Sequence, residues 1–144
     1  MGGRGGASGR NGKGMERSIL QSSATDFGLD KKTVSAKNSS PASEKQISLA
    51  KNAISKGKEK LRSQIETRNK IDKALKEYRN SKTGDYKTDS ALRDSLRKKY
   101  NLSSTWHTDR DGINWNIQKT VKSLRQIKNS KDLSSVYDVM KSLT

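Results

Sequence analysis

The sequence predicts an all-α protein: a small helical domain with one long amphipathic helix and two to three shorter helices, preceded by a disordered tail. Three observations lead there. From residue 41 onward the apolar residues recur at three- and four-residue intervals, the period of a helix face. No segment alternates apolar and polar residues as a half-buried strand does. The head is rich in glycine and the body in Lys and Arg, a composition that keeps the apolar stripes thin.

The division falls at residue 40, with a glycine- and serine-rich basic tail and linker over 1–40 and a helical domain over 41–144. Residues 1–14 hold seven glycines and three positive charges. Glycine loses the most backbone freedom on ordering, so this head is expected to stay flexible. Residues 15–40 scatter Ile19, Leu20, Phe27, Leu29 and Val34 among Ser, Thr and Asn. They read mainly as linker, with a short helix over 15–21 as the exception.

The long helix has two competing starts. Ser40 suits the N-cap and Pro41 the first helical position, where a missing N–H costs nothing. Ser43 and Gln46 form a capping-box pair three residues later. As heptads, one core series runs Ile47, Ile54, Leu61, Arg68, Leu75 and the other Ala50, Gly57, Gln64, Ile71, Tyr78. Gly57, Gln64 and Arg68 interrupt the stripe, which argues for an amphipathic helix kinked near Gly57 rather than an unbroken coiled coil.

Residues 80–88 read as a turn from their Gly, Asp and Asn content. Thr88 or Asp89 then caps a helix through Tyr100 with Leu92, Leu96 and Tyr100 on one face. A third helix is expected over 113–128, where Ile113, Ile117, Val121, Leu124 and Ile127 keep helical spacing. Ser130 caps a final helix faced by Leu133, Val136, Tyr137, Met140 and Leu143.

The chain of 144 residues carries 31 Lys and Arg against 15 Asp and Glu, a formal charge of +16. Leu, Ile, Val and Phe together number 24, a poor supply for a core. A field of this sign attracts polyanions, of which nucleic acid is the commonest. An acidic protein or nucleoprotein is the other partner class. The absence of cysteine rules out disulfides and thiolate metal sites. No apolar run reaches the roughly 18 residues of a membrane span, so a soluble cytoplasmic protein with no membrane partner is expected.

Two basic clusters are candidates for nucleic-acid binding. Lys56, Lys58, Lys60 and Arg62 lie on the long helix, with Lys58 and Arg62 sharing one face and Lys56 and Lys60 another. Arg93, Arg97, Lys98 and Lys99 crowd the end of the next helix. There they also complement the helix dipole, a purely structural use. A solvated helix face is the alternative for the first cluster. Ile54, Leu61, Ile71 and Leu75 are candidates for protein interaction, since the same stripe could dock in a groove or pair with a second copy.

The segment from Trp106 to Gly112 superficially resembles a calcium loop. His107 stands where the first carboxylate belongs, and Gln118 where a bidentate Glu is needed. The reading is a turn, with no metal. No nucleophile–base pair or ligand cluster appears, so no enzyme and no cofactor are expected. Trp106 and Trp115 are read as packing anchors, with base stacking as the alternative.

The opening Met1-Gly2-Gly3-Arg4-Gly5-Gly6-Ala7-Ser8-Gly9 resembles the glycine-rich start of small basic phage and prophage proteins of Gram-positive bacteria. The resemblance covers those nine residues and carries over no functional residue. It implies a mobile-element setting, in which small basic accessory proteins serve as virion components, nucleic-acid binders or inhibitors of host defence. The resulting expectation is a non-enzymatic accessory protein that grips nucleic acid or a nucleoprotein through basic helix faces, without reading bases.

Overall fold

A computed structural model describes residues 7–35 and 40–144; for 7–13, Ala24, Ser35, Ser40 and Pro41 it describes the backbone alone. The fold is all-α. Six α-helices are present among the described residues: α1 (Ala7–Gln21), α2 (Ala24–Phe27), α3 (Glu44–Ser81), α4 (Tyr86–Tyr100), α5 (Arg110–Asn129) and α6 (Tyr137–Leu143). Short 3-10 turns lie at Leu29–Lys31, Trp106–Thr108 and Leu133–Val136. One antiparallel pairing joins β1 (Thr33–Ser35) to β2 (Ser40–Pro41). At three and two residues these strands are too short for any alternation to show in the sequence.

The chain divides into two compact units, residues 1–62 with 118–144, and residues 63–117. The flexible head expected over 1–14 lies partly outside the described residues, and from Ala7 the backbone is helical. The linker reading of 15–40 is corrected over 15–35. Ile19, Phe27 and Leu29 are all buried in the first unit, so the scattered apolar residues are core positions of short elements. Local signals sustain them. Ser23 and Asp26 form a reciprocal capping box at the start of α2, and Gly28 takes the left-handed conformation at φ 58° that ends it. The helix expected over 15–21 is the second half of α1.

The start of α3 is also decided. Ser40 and Pro41 are in β2, and the helix begins at Glu44, where the Ser43 hydroxyl accepts the Gln46 backbone N–H at 3.3 Å. The Ser40-Pro41 start is therefore wrong and the Ser43 start right. Gly57 does not interrupt α3. It is buried, and a Cβ placed on it would stand 2.8 Å from Leu124 Cδ2. Glycine there admits a neighbouring helix rather than breaking its own.

In the second unit Ile71, Ala74, Leu96 and Trp106 form a buried cluster, with Leu75, Tyr78, Leu92 and Ile113 packed around it. Two polar residues of α3, Arg68 and Asp72, have partners within this unit. Arg68 is 4% exposed and donates to Asn114 Oδ1 at 3.3 Å. Asp72 pairs with Arg110 in the first turn of α5, which holds the guanidinium above its ordinary pKa. The α3–α4 turn is organised by Asp89, which accepts N–H bonds from Thr83 at 2.7 Å and Gly84 at 2.9 Å. The capping role expected of Thr88 or Asp89 falls instead to Asp85, whose carboxylate accepts from the Thr88 N–H.

At the C-terminal end, Asp132 rather than Ser130 caps the next turn, accepting from the Ser134 N–H at 2.9 Å. Ser130 closes α5 by donating to the Ile127 carbonyl. Leu133, Val136, Met140 and Leu143 are buried as the spacing predicts, whereas Tyr137 is exposed.

Candidate polyanion-binding faces

The cluster on α4 is largely neutralised at short range. Arg97 bonds Asp94 Oδ1 through Nε at 3.2 Å and Nη2 at 3.0 Å, and Lys98 reaches the other oxygen at 3.3 Å. Lys99 bonds Glu77 Oε1 at 2.8 Å, while the Tyr100 hydroxyl donates to Glu77 Oε2. These bonds hold the Asp94 and Glu77 carboxyls below their usual range. Arg93 bonds the Tyr78 hydroxyl at 3.0 Å and lies over its ring. Each cation of this cluster thus has a structural use within its own unit.

The long-helix cluster splits. Lys56 and Lys60 are exposed and occupy one side of α3. Lys58 is half-buried: its Nζ donates to the Ser22 carbonyl at the end of α1 and sits 5.6 Å from the centre of the Phe27 ring. Burial, and then the positive charge of Arg62, depress its pKa, while Asp26 acts weakly the other way. Lys58, Arg62 and a residue absent from the sequence-level cluster, Lys51, line one cleft of about 320 Å³ together with Ser55, Leu29 and Ile54. The i, i+4, i+7, i+11 spacing of 51, 55, 58 and 62 does place them on one helix stripe. The run of alternate basic residues 56, 58, 60 and 62 overlaps this stripe and obscures it in the sequence.

Two further lysines hold helix ends. Lys32 is buried and donates to the Lys128 carbonyl at 3.1 Å and to the Ser130 carbonyl, capping the end of α5. Lys128 in turn donates to Ser22 Oγ at 3.1 Å. Cations are favoured there because the last carbonyls of a helix lack partners and carry partial negative charge.

The stripe read as a docking face is occupied by the chain itself. Ile54, Leu61 and Ile71 are 8%, 0% and 1% exposed, and Leu75 packs on the second-unit cluster. Leu61→Asp would place a carboxylate in the core and destabilise the fold. A larger groove lies elsewhere in the first unit, about 930 Å³, where Met15, Val121, Val136 and Val139 meet Lys122 and Arg125.

Trp106 is an internal anchor: 1% exposed, with its Nε1–H donating to the Arg93 carbonyl at 3.2 Å. Trp115 is 61% exposed. His107 meets Trp106 edge to face, and Asp109 accepts hydroxyl bonds from Ser103 and Thr105. The segment is a 3-10 turn over Trp106–Thr108 that runs into the first turn of α5, and no metal-ligand cluster occurs among the described residues. No helix among them is long and apolar enough to cross a membrane.

No family model matches the chain, and it has no match among curated proteins or solved structures.

Proposed function

We propose that the protein is a non-enzymatic binder of nucleic acid, gripping the phosphate backbone through the basic faces of its first unit without reading bases. The observation that carries this is the partition of charge. Residues 1–62 with 118–144 hold a net +12, and residues 63–117 only +4. In the second unit the densest cations are already paired with Asp94 and Glu77. In the first, Lys51, Lys56, Lys60, Arg62 and Lys122 are exposed. Uncompensated cations release counterions when they meet phosphates, and that release drives sequence-independent binding. A phage-type accessory role is the setting that the glycine-rich opening implies.

The test is a salt titration of the full chain against mixed-sequence DNA and RNA. Affinity should fall linearly on a log–log scale, with similar slopes for different sequences. Lys122→Gln with Arg125→Gln should weaken binding more than Lys73→Gln with Lys76→Gln in the second unit. A flat salt response, or no binding at low ionic strength, overturns the proposal.

The groove beside α5 favours a second reading, the docking of an acidic, partly apolar peptide. Its valines and Met15 supply apolar contact, and Lys122 and Arg125 supply the opposite charge, against the carboxylate of Glu16. Met15→Gln with Val139→Asn, which change no charge, should then strongly weaken binding of an acidic amphipathic helix while leaving DNA binding nearly unchanged. Unaltered peptide affinity would eliminate this reading.

A further inference from the structure

We propose that the cleft framed by Lys51, Ser55, Lys58 and Arg62 is a phosphate-binding site that seats one phosphodiester of a nucleic-acid strand. The inference rests on the reading above and names the anchor point of that interaction. Three cations and a hydroxyl converge on about 320 Å³, and no acidic residue lines it. That volume lies at the small end of ligand pockets, suited to a phosphate with its sugar rather than to a folded partner.

The cations are not equivalent. Lys58 is held in place, its ammonium anchored to the Ser22 carbonyl and set over the Phe27 ring. A pre-positioned donor loses less freedom when a ligand arrives. Lys51 and Arg62 are exposed, and no carboxylate among the described residues pairs with either. Arg62 and Lys58 stand one helical turn apart and repel, so an anion between them relieves a cost already present in the free protein. Arg62 supplies a planar fork that matches a phosphate, and Ser55 a hydroxyl donor. Leu29 and Ile54, both buried, form an apolar floor against which a sugar can rest.

The test compares two double variants of the full chain with the same change in charge. Lys51→Gln/Arg62→Gln empties the cleft but keeps Lys58 and its structural bond. Lys56→Gln/Lys60→Gln removes cations roughly 140–180° around α3. The cleft pair should lower the salt slope for mixed-sequence single-stranded DNA by about two and weaken binding about tenfold more than the control pair. Melting curves confirm that both variants fold. DNA binding that responds equally to the two pairs overturns the cleft and leaves the general reading standing.

Inorganic pyrophosphate provides an arm independent of the polymer. In the wild type it should shift the backbone amide resonances of Ser55 and Lys58, and in the cleft pair it should not. If DNA fails to bind but these shifts occur, the polymer reading fails and a site for small phosphates remains. If pyrophosphate leaves both resonances unmoved, the cleft is overturned.

Discussion

Gly57 of α3 lies against Leu124 of α5 so closely that a single added methyl would stand 2.8 Å from Leu124 Cδ2 and 3.2 Å from Leu143 Cδ1. Leu124 is fully buried and Leu143 nearly so, which limits the room into which either can retreat. The glycine marks an approach between helices.

Gly57→Ala therefore sets two effects against each other. Alanine gains about 1 kcal/mol in a helix interior, and overpacking a core costs about 1–3 kcal/mol. The expected net result is a loss of about 1 kcal/mol, growing steeply for Gly57→Val. Chemical denaturation of both variants checks this. A gain in stability for the alanine variant would mean that the approach is loose.

The tryptophans should behave in opposite ways. Trp106→Ala removes a buried ring and the Nε1–H bond to the Arg93 carbonyl, at a cost of about 3–5 kcal/mol. Trp115→Phe should stay within about 0.5 kcal/mol, as exposed substitutions do. In single-tryptophan variants, Trp106→Phe should leave a fluorophore open to acrylamide, and Trp115→Phe one that is shielded.

Acid should unfold the second unit through Asp89. Hydrogen bonds from the Thr83 backbone, then Gly84 and the Thr83 hydroxyl, hold its carboxyl below the usual range against the opposing effect of burial. A carboxyl whose folded pKa is depressed contributes stability above its unfolded pKa, about 3.9, and loses it as pH falls through the folded value. Asp89→Asn should thus be less stable than wild type near neutrality, with the difference shrinking as pH falls below about 4. Melting temperatures across that range measure it, and a gap independent of pH would assign the effect to packing.

Lys32 gives the complementary case. Removing its ammonium by Lys32→Met leaves two carbonyls at the end of α5 without a charged donor, for an expected loss of about 1–3 kcal/mol. Burial lowers the Lys32 pKa. A lysine depressed in the folded state binds fewer protons there than when unfolded, so its titration alone makes stability rise with pH between the two values. Unfolding of wild type and variant from pH 8 to 11 separates the two effects. The advantage of wild type at pH 8 is the capping bond less the desolvation cost of the ammonium, and its rise with pH is the titration.

The helices were legible in the sequence wherever an apolar stripe was long enough to establish a period. Ile71 and Leu75 in α3, Leu96 in α4, and Val121, Leu124 and Ile127 in α5 point inward as their spacing requires. The net charge was equally open to reading. Tertiary structure decided which residues do what inside those limits. Ile19, Phe27 and Leu29 belong to elements too short for a period, so only their burial shows them to be core. Gly57 is a defect in the heptad pattern, and only its neighbour across the helix interface accounts for it. Lys58 and Arg62 shared a helix face in the sequence, but the cleft also needs Leu29, which lies 22 residues before Lys51 in the chain. Periodicity is a property of one element, whereas a pocket, a buried lysine or an ion pair depends on atoms that distant stretches of chain bring together.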